Sequence, residues 1–135
     1  MEFEQLTETI IGCAYQVYKK LGYGFLESVY ERSLLIELKK AGLNAASQVP
    51  IDVMYDGNCV GSFFADIIVE GSIIIELKSV SKIITAHEVQ LVNYLTATGK
   101  PVGLILNFGE HGVEVKRKVR TLSPKTNPVN PVNPV

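Results

Sequence analysis

Cysteine, clustered basic charge and long apolar runs are all scarce in this chain, and each scarcity removes a class of protein. Two of its 135 residues are cysteine, Cys13 inside a helical pattern and Cys59 inside a strand pattern. Two are too few for a disulfide framework and do not have the spacing of metal ligands, so a reduced, cytoplasmic setting is expected. Lysine and arginine number 13 against 14 aspartates and glutamates, a formal net charge of -1. Coating nucleic acid by charge alone requires clustered Lys and Arg, so any basic face must be local. No apolar run approaches the roughly 18 to 20 residues that span a bilayer. The amino-terminal MEFEQLTETI is acidic where a signal peptide is basic. No membrane partner is therefore expected. A P-loop, a Rossmann glycine pattern and a zinc-type Cys/His cluster are missing too, which removes the common nucleotide and zinc chemistries.

What is present suits one globular domain: 47% of the residues are hydrophobic and 20% charged, enough to build a core. The chain is organised around residues 63–79, FFADIIVEGSIIIELKS. Two β-branched apolar runs carry Asp66, Glu76 and Lys78 where a core strand would take valine or isoleucine, and Glu70-Gly71-Ser72 marks a turn between them. Buried charge persists only when it is paired, hydrogen-bonded or bound to a metal. An aspartate followed by Glu-x-Lys suggests metal-assisted phosphodiester chemistry.

Along the chain, Leu6, Ile10, Cys13, Ala14, Val17 and Leu21 recur at helical spacing and predict a helix over 4–21. Gly22-Tyr23-Gly24 breaks it, and a second helix is expected over 26–41 with Gly42 as its stop. From 45 the period becomes two, with strands at 45–55 and 59–69 around an Asp56-Gly57-Asn58 turn and a third at 73–78. Residues 85–98 read as a helix, with Thr85 as N-cap and Glu88 completing a capping box. The run VGLILNF at 102–108 suits a strand covered on both faces, and 112–119 an edge strand whose Lys116, Arg117 and Lys118 discourage further pairing. The three Asn-Pro-Val copies at 127–135 read as a flexible tail, so the domain is expected to occupy 1–122 and the tail 123–135. The fold class is α/β (α+β): a mixed central sheet flanked by helices, in the order ααβββαββ.

These motifs in this order resemble the GxxExxY family of the PD-(D/E)xK nuclease-like superfamily. Its name-giving pattern stands as Gly24, Glu27 and Tyr30, and the superfamily signature as Asp66 followed by Glu76-Leu77-Lys78. A helix signature lies around His87, Glu88 and Gln90 with Asn93-Tyr94-Leu95, and Asn107-Phe108-Gly109 follows the next strand. The resemblance covers about residues 10–119 and implies a restriction-endonuclease-like core. It implies a metal-dependent nuclease, with nucleic acid, DNA in the first place, as partner. It also implies that Glu27 joins the site as a direct or water-mediated metal ligand and that Gln90 positions substrate or water.

Glu76 and Lys78, two apart on a strand, leave the same face. A two-residue turn would place Asp66 opposite Leu77 on the wrong face; the chemistry requires a three-residue loop over 70–72 that sets Asp66 opposite Glu76, or a β-bulge. On that face Asp66 and Glu76, with the Leu77 carbonyl, offer hard oxygen ligands to Mg²⁺ or Mn²⁺, and Lys78 assists the attacking water or the phosphate. The competing reading of the three charges is a structural ion-pair cluster, in a catalytically silent nucleic-acid-binding or protein-interaction module. Tyr30 is expected to pack, His87 to cap, His111 to serve a turn, and Lys116, Arg117, Lys118 and Arg120 to be solvated edge charge. So small a chain leaves little surface for recognition, which a homodimer or a protein partner would supply.

Overall fold

The computed structural model describes residues 2–120, so the expected tail and the domain boundary at 122 lie outside the described residues. Two helices come first, α1 (Phe3–Leu21) and α2 (Glu27–Lys40). Strands β1 (Ala45–Tyr55), β2 (Asn58–Val69) and β3 (Ile73–Lys78) follow, then α3 (Thr85–Thr98), β4 (Val102–Gly109) and β5 (Gly112–Val119). The five strands form one sheet in chain order, antiparallel except that β3 and β4 run parallel with α3 as their crossover. The order ααβββαββ and the mixed sheet between helices are those expected from the sequence.

The core has two halves because the sheet is buried on both faces. On one face Leu6, Ile10, Val17, Tyr30, Leu34 and Leu38 from α1 and α2 pack against Ile67, Ile75, Leu77 and Leu106. On the other, Leu91, Tyr94 and Leu95 of α3 pack against Ala65, Ile68, Ile74 and Ile105. In β3 this follows simple alternation: Ile73, Ile75 and Leu77 face the helix pair and Ile74 faces α3, so Glu76 and Lys78 share the α3 side. β4 is buried from end to end, which is why its sequence is continuously apolar.

Alternation fails at one place in β1 and β2. Ile67 belongs to the helix-pair half, yet Ala65, two residues earlier, belongs to the α3 half. Across from Asp66, between the Ser47↔Ile67 and Val49↔Ala65 pairs, Gln48 takes φ of 51°, a left-handed value for a non-glycine residue. Facing therefore switches in both strands at the level of Asp66. The β2–β3 hairpin closes with the three-residue loop expected: Val69 pairs with Ile73, Glu70 and Gly71 have φ of 52° and 64°, and the Ser72 N–H donates to the Val69 carbonyl at 3.0 Å. The same register ends with Ile67 opposite Ile75, so that Asp66 and Glu76 are the next residues out on the two strands.

The start of α3 corrects the capping expectation. Thr85 is the first helical residue, not the cap; Ile84 occupies the N-cap and has no acceptor to offer. Its N–H donates to His87 Nδ1 at 3.2 Å, so the histidine makes the return half of a capping box alone. Glu88 instead pairs with Lys118 of β5 at 2.6 Å, fastening α3 to the sheet edge.

α3 lies close on β4 because Gly103 has no side chain. A Cβ there would lie 2.7 Å from Leu91 Cδ1 and 3.0 Å from its Cγ. Gly103→Ala is expected to lower stability by about 1–3 kcal/mol through overpacking. Urea denaturation measures it, and adding Leu91→Ala should make the pair less destabilising than the two single effects combined.

Candidate metal centre

The hydrogen-bonded ladder between β2 and β3 stops at Ile67 and Ile75, while β3 stays paired with β4 through Lys78. β2 thus leaves β3 at Asp66 and Glu76, and backbone groups that a ladder would satisfy are exposed to the gap. The two carboxylates take them over. Leu77 N–H donates to Asp66 Oδ2 at 2.8 Å, and Asp66 N–H donates to Glu76 Oε2 at 3.2 Å. Each acidic side chain accepts from the opposite strand, which fixes both carboxylates at the fork.

Electrostatically the pair is unneutralised. Burial, then the neighbouring Asp66 charge, pushes the Glu76 carboxyl up to about 8. Lys78 offsets this from a distance, but among the described residues it makes no direct ion pair. A structural ion-pair cluster would join Lys78 to a carboxylate; among the described residues it is joined to neither. The donor set fits a hard divalent cation: two adjacent carboxylates, oxygen only, at a site where negative charge is in excess. Among the described residues no three His, Cys, Asp or Glu side chains converge closely enough to enclose an ion.

Two acidic residues of α2 look towards the fork. Glu27 opens the helix, is exposed, and adds its charge to those acting on Glu76. Glu31, one turn on, was not singled out by the sequence. Burial, then Asp66, raises its carboxyl, and it accepts a 2.9 Å hydrogen bond from Gln48 Nε2. The same nitrogen lies 3.5 Å from Asp66 Oδ1, so Gln48 bridges the two carboxylates from its left-handed position in β1. The i, i+4 spacing of Glu27 and Glu31 was the available signal.

Tyr30, the last residue of the Gly24-Glu27-Tyr30 pattern, holds the approach to α2. It is fully buried and stacks on Phe108 with centroids 4.3 Å apart and planes 6° from parallel. Its hydroxyl donates to the Gly22 carbonyl at 2.7 Å and accepts from Phe25 N–H at 3.4 Å. Gly24, at φ of 109°, takes a conformation that needs glycine. The pattern is thus a clamp that places Glu27. Beyond Lys78, buried Asn107 binds both the N–H and the carbonyl of Val80 at 2.9 Å, and Glu114 accepts from Ile83 N–H at 2.9 Å. These bonds fix the chain that leaves the fork.

On α3 it is Tyr94 that feels the fork: burial, then Glu76 and Asp66, raise its hydroxyl. Gln90 is exposed one turn earlier and forms no hydrogen bond with either carboxylate. Among the basic residues at the sheet edge, Lys118 is engaged by Glu88.

Metal-free protein is expected to lose stability as pH rises. Glu76 titrates near 4.5 when unfolded and near 8 when folded, so over that interval the folded state keeps a proton that the unfolded state has released. The penalty grows from pH about 4.5 and levels off above about 8, reaching on the order of a few kcal/mol. Glu76→Gln, compared with the native chain by denaturation in EDTA, should match it at low pH and be the more stable at pH 9.

Across residues 4–120 the chain matches the family model described as the PD-(D/E)XK nuclease superfamily. No curated protein matches it. Three chains of known structure match, among them the crystal structure of SSO0001, 21% identical with a TM-score of 0.56. That match covers 91% of this chain but 62% of the other, so this chain spans less than two thirds of its length, and the likeness is one of fold. No helix of the described residues is long and apolar enough to cross a membrane. With its Asp66 and Glu76-Leu77-Lys78 at the fork of two strands and a family match over nearly all of its described length, the chain belongs to the PD-(D/E)XK nuclease superfamily.

Proposed function

We propose that the chain is a divalent-cation-dependent nuclease of the GxxExxY type, acting on DNA in the cytoplasm. The observation that carries this reading is the fork itself: two fixed carboxylates without a countercharge, and Lys78 on the same face without an ion-pair partner. Asp66 and Glu76 hold Mg²⁺ or Mn²⁺, with the Leu77 carbonyl as third protein ligand and Glu27 reaching the ion directly or through water. When bound, the cation polarises the scissile phosphate and acidifies a coordinated water.

The chain's own residues do the rest. Leu77 N–H and Asp66 N–H hold the two carboxylates in place before any ion arrives, which limits reorganisation on binding. Lys78 directs its ammonium at phosphate oxygens, where charge develops, or at the water that attacks. Gln90 contributes to positioning substrate from α3. A homodimer or a protein partner supplies the recognition surface that a chain of this size does not spare.

The net charge of -1 favours a second reading, a module that keeps the fold and binds without turnover. One experiment separates them. In thermal unfolding at pH 7.5, Mg²⁺ or Mn²⁺ should raise Tm, by the equivalent of about 2.7 kcal/mol at a hundredfold excess over Kd. Asp66→Asn and Glu76→Gln should abolish the rise. In cleavage assays with DNA and RNA, Lys78→Met should keep the thermal shift and reduce kcat by roughly 10²–10³. A native chain that shows neither a metal-dependent shift nor cleavage is a binding module.

A further inference from the structure

A groove beside the fork has chemistry of its own. Between the outer parts of β1 and β2 and the flank of α3 lies a cleft of about 880 Å³, lined by Val53, Met54 and Phe63 on one side and Val89, Asn93 and Tyr94 on the other. The Phe63 and Tyr94 rings stand 5.2 Å apart at 44°. Phe63 is 39% exposed and Met54 56%, so an apolar, aromatic surface faces solvent. Gln90 also lines the groove, and neither its amide nor that of Asn93 forms a hydrogen bond among the described residues. Tyr94 ties the groove to the fork: it lines the groove and packs in the same cluster as Ala65, which precedes Asp66 on β2.

Charge decides what can lie there. No residue lining the groove is charged, and Lys118, on the strand beside α3, is taken up by Glu88. A duplex offers its phosphates outward and hides its base faces by stacking, so it would need the cations that this surface lacks. An unpaired base offers a flat apolar face and an edge of donors and acceptors, the complement of aromatic rings with free amides beside them.

We propose that this groove binds unpaired nucleobases of a single-stranded nucleic acid whose backbone crosses the Asp66/Glu76 fork. Phe63, backed by the buried Tyr94 ring, stacks on a base, and Gln90 and Asn93 meet its edge. The inference rests on the proposed phosphodiester chemistry for the kind of polymer bound, and it gives Gln90 a part in recognition.

The test is fluorescence anisotropy in EDTA, where no cleavage occurs, with a labelled unstructured single strand and a duplex of the same length. The native chain should bind the single strand more tightly than the duplex. Phe63→Ala should weaken that binding by roughly tenfold, the loss expected for one base stack. Val89→Glu, which places a carboxylate at an exposed groove position, should weaken it as well and decides the matter if Phe63→Ala does not fold. Ile36→Ala, at an exposed position of α2, should leave it unchanged. Asp66→Asn should keep single-strand binding while losing the Mg²⁺-dependent rise in Tm, so failure of the groove and failure of the metal centre are read separately. Equal or tighter duplex binding, or folded groove variants that bind like the native chain, would overturn the proposal. So would a dimer dissolved by Val89→Glu in a chain that binds no oligonucleotide, which would assign the groove to a second copy.

Discussion

Asp66 and Glu76 hold each other in place through the backbone: each carboxylate accepts an N–H from the strand that carries the other, at 2.8 and 3.2 Å. Two like charges side by side in a largely buried setting are costly, and an unmade backbone hydrogen bond in the same place is costly too. At the fork the two problems meet and partly offset one another. The N–H groups that lose a ladder partner where β2 departs gain a carboxylate, and the carboxylates gain donors that favour their charged form. What remains uncompensated is the burial of Glu76 and, after it, the neighbouring Asp66 charge, which together raise the Glu76 carboxyl. On the proposed reading, a dication bound between the carboxylates would relieve it.

Much of the surrounding structure serves to keep this fork at a fixed place. Tyr30 fastens the Gly22 to Phe25 segment against Phe108 and so sets where α2 begins. Tyr18 donates to the Gly109 carbonyl at 2.6 Å and binds the end of β4 to α1. Asn107 and Glu114 pin the residues that follow Lys78. On the other side Gly103 lets α3 settle on β4 and brings Tyr94 towards the carboxylates. Each contact lies outside the pair it supports. Each acts through elements rather than by touching the charges, so the site sits on strands and helices and not on loops.

The parts of the fold written in periodicity were legible in the sequence. Helical spacing placed α1, α2 and α3 within a residue or so of their ends, and the continuous apolar run of β4 announced a strand covered twice. The chemistry even spoke to the backbone: two carboxylates needed on one site asked for either a three-residue loop or a β-bulge, and a three-residue loop follows Val69. Three features were not legible. The left-handed Gln48 belongs to a residue type with no special preference for that region, so nothing in its identity announces the break in β1. Glu31 gained its place only because that break turns the Gln48 amide towards Asp66. Thr85 and Glu88 have the right spacing for a capping box, yet Glu88 finds a stronger partner in Lys118, two strands further along the chain. Local signals lose where a tertiary partner competes for the same side chain.

The placement of charge follows the same logic. Lys20 and Lys40 both close on Glu37, and Lys118 closes on Glu88, so these cations are spent in pairs that include neither fork carboxylate. Lys78, alone of the signature residues in carrying positive charge, has no direct ion-pair partner among the described residues, although two carboxylates lie nearby. Had stability alone governed this sheet, an ion pair between Lys78 and Glu76 would have relieved burial of the carboxylate at little cost in sequence. On the proposed reading, their separation keeps the carboxylate oxygens available to a cation and the ammonium available to a phosphate, and the uncharged groove beside them would leave the polymer's bases, more than its charge, to decide what is held there.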